Sequence, residues 1–273
     1  MPRFAANISL LFTEVPFLDR FDAAAQAGFE AVEFLFPYEF AARDIAARLQ
    51  ASGLQAVLHN LPPGDWAAGA RGIACLPERR EEFRASVQQG VEYALALGVP
   101  QLHCLSGIVP PRLSQERVFA LLADNMRYAA EQCAAAGLTL LVEPINTFDF
   151  PGYALSRTSQ ALALMEAVGA ENLKLQFDIY HAQRMQGELA ATLEQHLPQI
   201  AHIQIADNPG RHEPGTGEIH FPFLFALLDR LGYADWVGCE YRPALGTLAG
   251  LSWRDTLLQP AAKAGRRFPA PEH

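Results

Sequence analysis

Residues 115–146 read QERVFALLADNMRYAAEQCAAAGLTLLVEPIN, and the reading of this stretch decides the fold. Its first part is an amphipathic helical pattern closed by Gly137, a residue suited to a helix C-cap. A short apolar run follows, TLLVEPI (139–145), which reads as a buried strand ending on a carboxylate and a proline. The same phrase recurs along the chain. Strand patterns occupy 4–12, 31–37, 55–61 and 101–107 before it, and 173–181, 201–207 and 236–242 after it. Helical patterns separate them, and Gly28, Gly98, Gly169 and Gly232 stand where those helices should stop.

Eight buried strands alternating with crossover helices imply a parallel sheet. At 273 residues, a closed (β/α)8 TIM barrel, one α/β domain over 1–273, fits better than an open doubly wound sheet. An open sheet usually carries a Gly-rich phosphate turn after its first strand, and SLLFTEVP (9–16) is not one. The least regular segment, PPGDWAAGARGIACLPERR (62–80), reads as a long loop over the barrel mouth, with Trp66 shielding the interior from water.

Half of the residues are hydrophobic, enough for a large core, and the formal net charge is −9. Scattered acidic charge repels nucleic acid and anionic membrane, so neither is an expected partner. No run approaches the roughly 18 uninterrupted apolar residues of a membrane span, and the first residues lack a secretion pattern. Cys75, Cys104, Cys133 and Cys239 are widely spaced and read as free thiols, which places the chain in the reducing cytoplasm. Assembly into a homo-oligomer stays open.

In a barrel of this kind the C-terminal ends of the strands converge on one face. Glu143, Asp178, Gln204 and Glu240 fall at the ends of strands five to eight, and alternation turns their apolar neighbours toward the helices. Three carboxylates aimed into one space repel one another and require a cation. With the Gln204 amide they form a hard oxygen set suited to Mg²⁺, or to Mn²⁺. The alternative, four unrelated salt bridges or helix caps, accounts poorly for their shared register. His181, three residues past Asp178, is a candidate substrate contact. So are Arg211 and Glu213 in the loop ADNPGRHEPGTGEI (206–219), Arg211 having the planar fork that matches a small carboxylate. His59 and His103, near the ends of strands three and four, are further candidates. Phe34, Phe36, Phe148 and Phe150 read as core or pocket wall.

RFAANISLLFTEVPFLDRF (3–21), GFEAVEFLFPY (28–38), LLVEPIN (140–146), QFDIYHAQ (176–183), HIQIADNPGRHEPGTGEI (202–219) and GCEYRP (238–243) carry a resemblance. Along nearly its whole length the chain resembles the bacterial hydroxypyruvate isomerases, within the xylose-isomerase-like barrel superfamily. The resemblance implies that Glu143, Asp178, Gln204 and Glu240 bind a divalent metal and that Glu143 and Glu240 act as the acid–base pair. Many superfamily members carry histidine where this chain has Gln204, a departure that favours the hydroxypyruvate branch. The implied reaction moves the carbonyl of a three-carbon sugar acid by one carbon through an enediolate. Rival readings are a 2-oxo-tetronate isomerase, a ketose epimerase and a non-catalytic sugar-acid binding protein. Abasic-site endonucleases share the barrel but use histidine-bound zinc and a basic groove, which the net charge and Gln204 disfavour.

Overall fold

The computed structural model describes residues 1–258; positions 259–273, the end of the expected domain, lie outside the described residues. Eight parallel strands close a barrel in sequence order, with β8 pairing back onto β1. They are β1 (Arg3–Asn7), β2 (Ala31–Phe34), β3 (Gln55–Asn60), β4 (Gln101–His103), β5 (Thr139–Val142), β6 (Leu173–Asp178), β7 (Ile200–Ile205) and β8 (Trp236–Cys239). The outer layer is α1 (Arg20–Gln26), α2 (Ala42–Ser52), α3 (Arg80–Leu97), α4 (Gln115–Ala135), α5 (Thr158–Val168), α6 (Ile179–Met185), α7 (Leu189–His196) and α8 (Phe221–Leu231). The short α9 (Thr247–Gly250) and α10 (Trp253–Leu257) follow β8. Among the described residues no helix is long and apolar enough to cross a membrane.

The strands end earlier than their apolar runs. β5 stops at Val142 because Pro144 has no N–H for the ladder. β1 stops at Asn7, whose carbonyl is taken by the N–H groups of Leu10 (3.0 Å) and Leu11 (2.8 Å) in a tight turn. Gly98, Gly169 and Gly232 are left-handed C-caps as expected, and Gly53 is another. Gly28 and Gly137 stand one residue later, after Ala27 and Ala136.

Alternation sorts the side chains onto two faces. Val142, Phe177, Ile203, Ile205, Val237 and Cys239 join the core between sheet and helices. Inside the barrel, Ala5, Ala31, Val57, Leu58 and Leu141 form a small separate plug. A buried polar layer shares that interior. Glu33 Oε2 lies 2.6 Å from His202 Nε2, while Oε1 accepts from Gln204 Nε2 (2.7 Å) and Asn7 Nδ2 (2.9 Å). Gln204 Oε1 accepts from Gln176 Nε2 at 2.6 Å. Gly238 on β8 makes room for this layer, since a Cβ there would sit 2.2 Å from Glu33 Oε2.

Candidate active site

Glu143 and Glu240 stand one residue past β5 and β8, and Asp178 is the last residue of β6. Asp178 pairs in register with Gln204, which pairs with Gly238. Asp178 also caps α6: its Oδ1 accepts from the N–H groups of Tyr180 (2.7 Å) and His181 (3.3 Å). The cap leaves Oδ2 without a hydrogen-bond partner and turns His181 back over the acids. His181 Nε2 lies 3.6 Å from Asp178 Oδ2 and 4.0 Å from Glu143 Oε1, and His103 Nε2 is 3.5 Å from Glu143 Oε2.

The tautomer of His181 follows from Asn146. Asn146 Oδ1 accepts from the N–H groups of Phe148 (3.1 Å) and Asp149 (2.9 Å), which fixes the amide's orientation. Its Nδ2 therefore donates, to Asp149 Oδ2 at 2.9 Å and to His181 Nδ1 at 2.6 Å. Burial first, then the charges of Arg211 and Arg184, holds the His181 ring well below its ordinary pKa, so it is neutral. With Nδ1 accepting, the proton sits on Nε2 and points at the two acids. His181 is thus a donor rather than a cation ligand, although its Nε2 lies close enough to Glu143 and Asp178 to complete a three-residue metal cluster.

The acids are strained by one another. Burial, then the charges of Glu240 and Asp178, pushes Glu143 well above the usual carboxylate range. Burial raises Glu240 to about 8, opposed by the Arg211 guanidinium. Asp178 is raised by burial too, with Arg211 and the two helix N–H groups pulling the other way. Arg211 itself stays firmly protonated, because the three acids outweigh its own burial. Its Nη2 lies 2.6 Å from Glu240 Oε2 and 3.7 Å from Asp178 Oδ2. The β7–α8 loop that delivers it is wound around buried Asp207, whose carboxylate accepts the N–H groups of Asn208, Gly215, Gly217 and Ile219.

A hard divalent cation fits this donor set. Glu143 Oε1 and Asp178 Oδ2 are buried and accept no hydrogen bond. One guanidinium does not balance three carboxylates, and buried anions need a partner. Gln204 lies in the floor, with its amide nitrogen on Glu33 and its oxygen on Gln176. That oxygen keeps a second lone pair.

Above the acids opens a cavity of about 530 Å³. Glu143, Glu240, His103, His181 and Arg211 line it, as do Trp66, Phe36 and Phe150. Two expected contacts do not. His59 faces away, its ring stacked 6.1 Å from that of Phe34 and Nδ1 against the Asn60 carbonyl (3.2 Å) and Tyr38 hydroxyl (3.3 Å). Burial lowers its pKa to about 4. Its neighbour Asn60 lines the cavity instead. Glu213 lies outside as well: its Oε2 accepts from Ala244 N at 3.0 Å and its carboxylate packs on Gly250. Phe148 is not wall but 65% exposed, beneath Arg184. Sequence reading missed Glu33, Asn60, Arg71 and Asn146. Of these only Glu33 had a local signal, a carboxylate within the apolar AVEF strand.

The sequence profile described as "Xylose isomerase-like TIM barrel" matches residues 21–257. A protein of Cupriavidus necator named 2-oxo-tetronate isomerase is 51% identical over 253 residues, covering 93% of this chain and 97% of that one. A protein of Escherichia coli named hydroxypyruvate isomerase is 52% identical over 255 residues, covering 93% and 99%. A crystal structure from Brucella melitensis named AP endonuclease, family 2, superposes with a TM-score of 0.91 at 48% identity, covering 94% and 99%.

Proposed function

The chain belongs to the xylose isomerase-like TIM barrel family, and from that premise we propose that it is an isomerase interconverting hydroxypyruvate and tartronate semialdehyde. The observation that carries the proposal is the convergence of Glu143, Asp178 and Glu240 around Arg211 and His181, two of the acids with unpartnered oxygens, beneath a cavity that Glu143, Glu240 and Arg211 line. Its place of action is the cytoplasm, in keeping with four buried free cysteines.

The reaction moves one hydrogen from C3 to C2 and one from the C3 oxygen to the C2 oxygen. One glutamate of the Glu143–Glu240 pair removes the C3 proton of hydroxypyruvate, and the other returns a proton to C2 of the enediolate. Such positioned proton transfer contributes typically about 10²–10⁴-fold. His181 Nε2–H is directed at the space between the acids, where it donates to a substrate oxygen as charge builds there. Glu143, Asp178, Glu240 and the free lone pair of Gln204 are the ligands for Mg²⁺ or Mn²⁺. When bound, the ion supplies positive charge to the substrate oxygens on which negative charge develops. Trp66 and Phe150 keep bulk water from the intermediate.

Glu143→Gln and Glu240→Gln test the assignment, since each keeps an oxygen for the metal but loses the base. Each is expected to lower turnover by roughly 10²-fold or more, with metal affinity measured in parallel. One variant should still exchange the C3 hydrogens of hydroxypyruvate with D₂O while forming no product. Wild-type turnover in both metal-loaded variants would remove the isomerase reading. The relatives named for the three-carbon and four-carbon acids are equally similar, so 2-oxo-tetronates belong in the same substrate panel.

A further inference from the structure

Four arginines line the cavity, and their partners set them apart. Arg211 is held by Glu240. Arg184 is held by the Tyr180 hydroxyl (2.8 Å) and Asp149 Oδ1 (3.4 Å). Arg242 is exposed, and its side chain makes no hydrogen bond among the described residues. Arg71 differs from all three. Its Nη1 donates to the carbonyls of Trp66 (3.1 Å) and Ala70 (2.7 Å), and its guanidinium lies 4.1 Å from the Trp66 ring centroid and 5.4 Å from that of Phe150. Among the described residues no carboxylate pairs with it. It is a cation fixed in place with its charge unmatched.

The segment that carries Arg71 is tied down on its C-terminal side. Gly72 has a φ of +104° and packs so tightly that a Cβ would lie 2.5 Å from the Leu105 carbonyl oxygen, past the end of β4. Its N–H donates to Pro63 O at 3.1 Å, Cys75 N–H to Ser106 O at 2.9 Å, and Asn125 Nδ2 to Ala74 O at 2.8 Å. With Nη1 engaged, the Nε–H and Nη2 edge of Arg71 remains, and that edge matches the two oxygens of a carboxylate side by side.

We propose that Arg71 anchors the substrate's carboxylate and so selects sugar acids over uncharged sugars. The inference rests on the isomerase reading above and deepens it. Arg211, whose fork is turned to the catalytic acids, then faces the reacting oxygens rather than the acid end. Because the carboxylate is not among the atoms that change, Arg71 contributes to binding of ground state and transition state alike, which appears in KM rather than kcat.

The test compares wild type with Arg71→Met, which keeps an apolar stem against Trp66, Arg71→Lys, which keeps the charge, and Arg242→Met, which removes the rival cation of the same cavity. Hydroxypyruvate kinetics and direct titration with the unreactive acid glycerate are measured on Mg²⁺-supplied protein, with thermal midpoints recorded alongside. Arg71→Met is expected to raise KM and the glycerate Kd together by about 10- to 100-fold, with kcat and thermal midpoint little changed. Arg71→Lys should recover part of the loss, and Arg242→Met should raise both constants by less than Arg71→Met does. Unchanged glycerate affinity in Arg71→Met, a loss of equal size in Arg242→Met, a fall in kcat without a rise in KM, or no glycerate binding to the wild type would each overturn the proposal. If the wild type isomerises no acid but glycerate affinity still depends on Arg71, the anchor stands and the isomerase reading falls.

Discussion

Adding one methyl group at Gly238 is expected to damage the barrel out of proportion to its size. An alanine Cβ would lie 2.2 Å from Glu33 Oε2 and 2.5 Å from both Cδ and Oε1, so the whole carboxylate has to leave. Its departure strips Gln204, Asn7 and His202 of their partner at once. Overpacking alone costs about 1–3 kcal/mol, and removing one side of a buried charged or hydrogen-bonded pair costs about 3–5 kcal/mol. The two overlap, because moving Glu33 relieves the clash, so a net loss of about 3–5 kcal/mol is expected. Turnover should fall too, since Asn7 Nδ2 also lies 3.4 Å from Glu240 Oε1. Urea unfolding of Gly238→Ala, Glu33→Ala and the double variant separates the causes. With Glu33 already truncated, the three atoms nearest the new Cβ are gone, and Gly238→Ala should cost less than about 1 kcal/mol more. Additive losses, or a single-variant cost below about 1 kcal/mol, would refute the account of the polar layer.

Two further outcomes follow from the same site. In metal-free protein, Glu240 near 8 and Glu143 well above its usual range keep protons that the unfolded chain releases around 4.5. Buried His59, His103 and His181, all held below 6.5, act in the opposite sense up to about that pH. The folded state therefore holds the excess of protons, and stability falls as pH rises, between about 6.5 and 8. Mg²⁺ should offset the fall, and unfolding midpoints with chelator and with Mg²⁺ read both effects; metal-free stability that climbs between those pH values would contradict the burial of these acids. For His181, nitrogen NMR should find the proton on Nε2 in the wild type, and a proton on Nδ1 would refute the orientation given to Asn146. Asn146→Ala should loosen that preference and, by stripping the acceptor from Phe148 N and Asp149 N, cost about 1–3 kcal/mol of stability.

What was legible in the sequence was what depends on local period. The barrel followed from the repeated strand–helix phrase, and the inward register of Glu143, Asp178, Gln204 and Glu240 from alternation within single strands. His59 was misplaced because the β2–β3 ladder slips between Val32 and Glu33. An extra residue at such a slip changes which of two neighbours faces inward, and no periodicity within QAVLHNL marks it. Arg211 was expected to be free for an anion, yet its partner Glu240 lies 29 positions later. Arg71 looked like an ordinary loop residue because its role depends on Trp66, Phe150 and the Leu105 backbone, which only the folded chain brings together.

The acids proposed for metal binding and proton transfer hang from β5, β6 and β8, whereas Arg71 hangs from the connection after β3 and is moored to the segment that follows β4. On the proposed reading, recognition of charge and transfer of protons occupy different arcs of one ring. Variation in residues 62–76 can redirect which compounds enter without touching the atoms that rearrange them, and variation in the later strands can do the reverse. Such a chain is divisible for evolution and for engineering alike: a swapped loop cassette alters diet, while the inherited reaction is left intact.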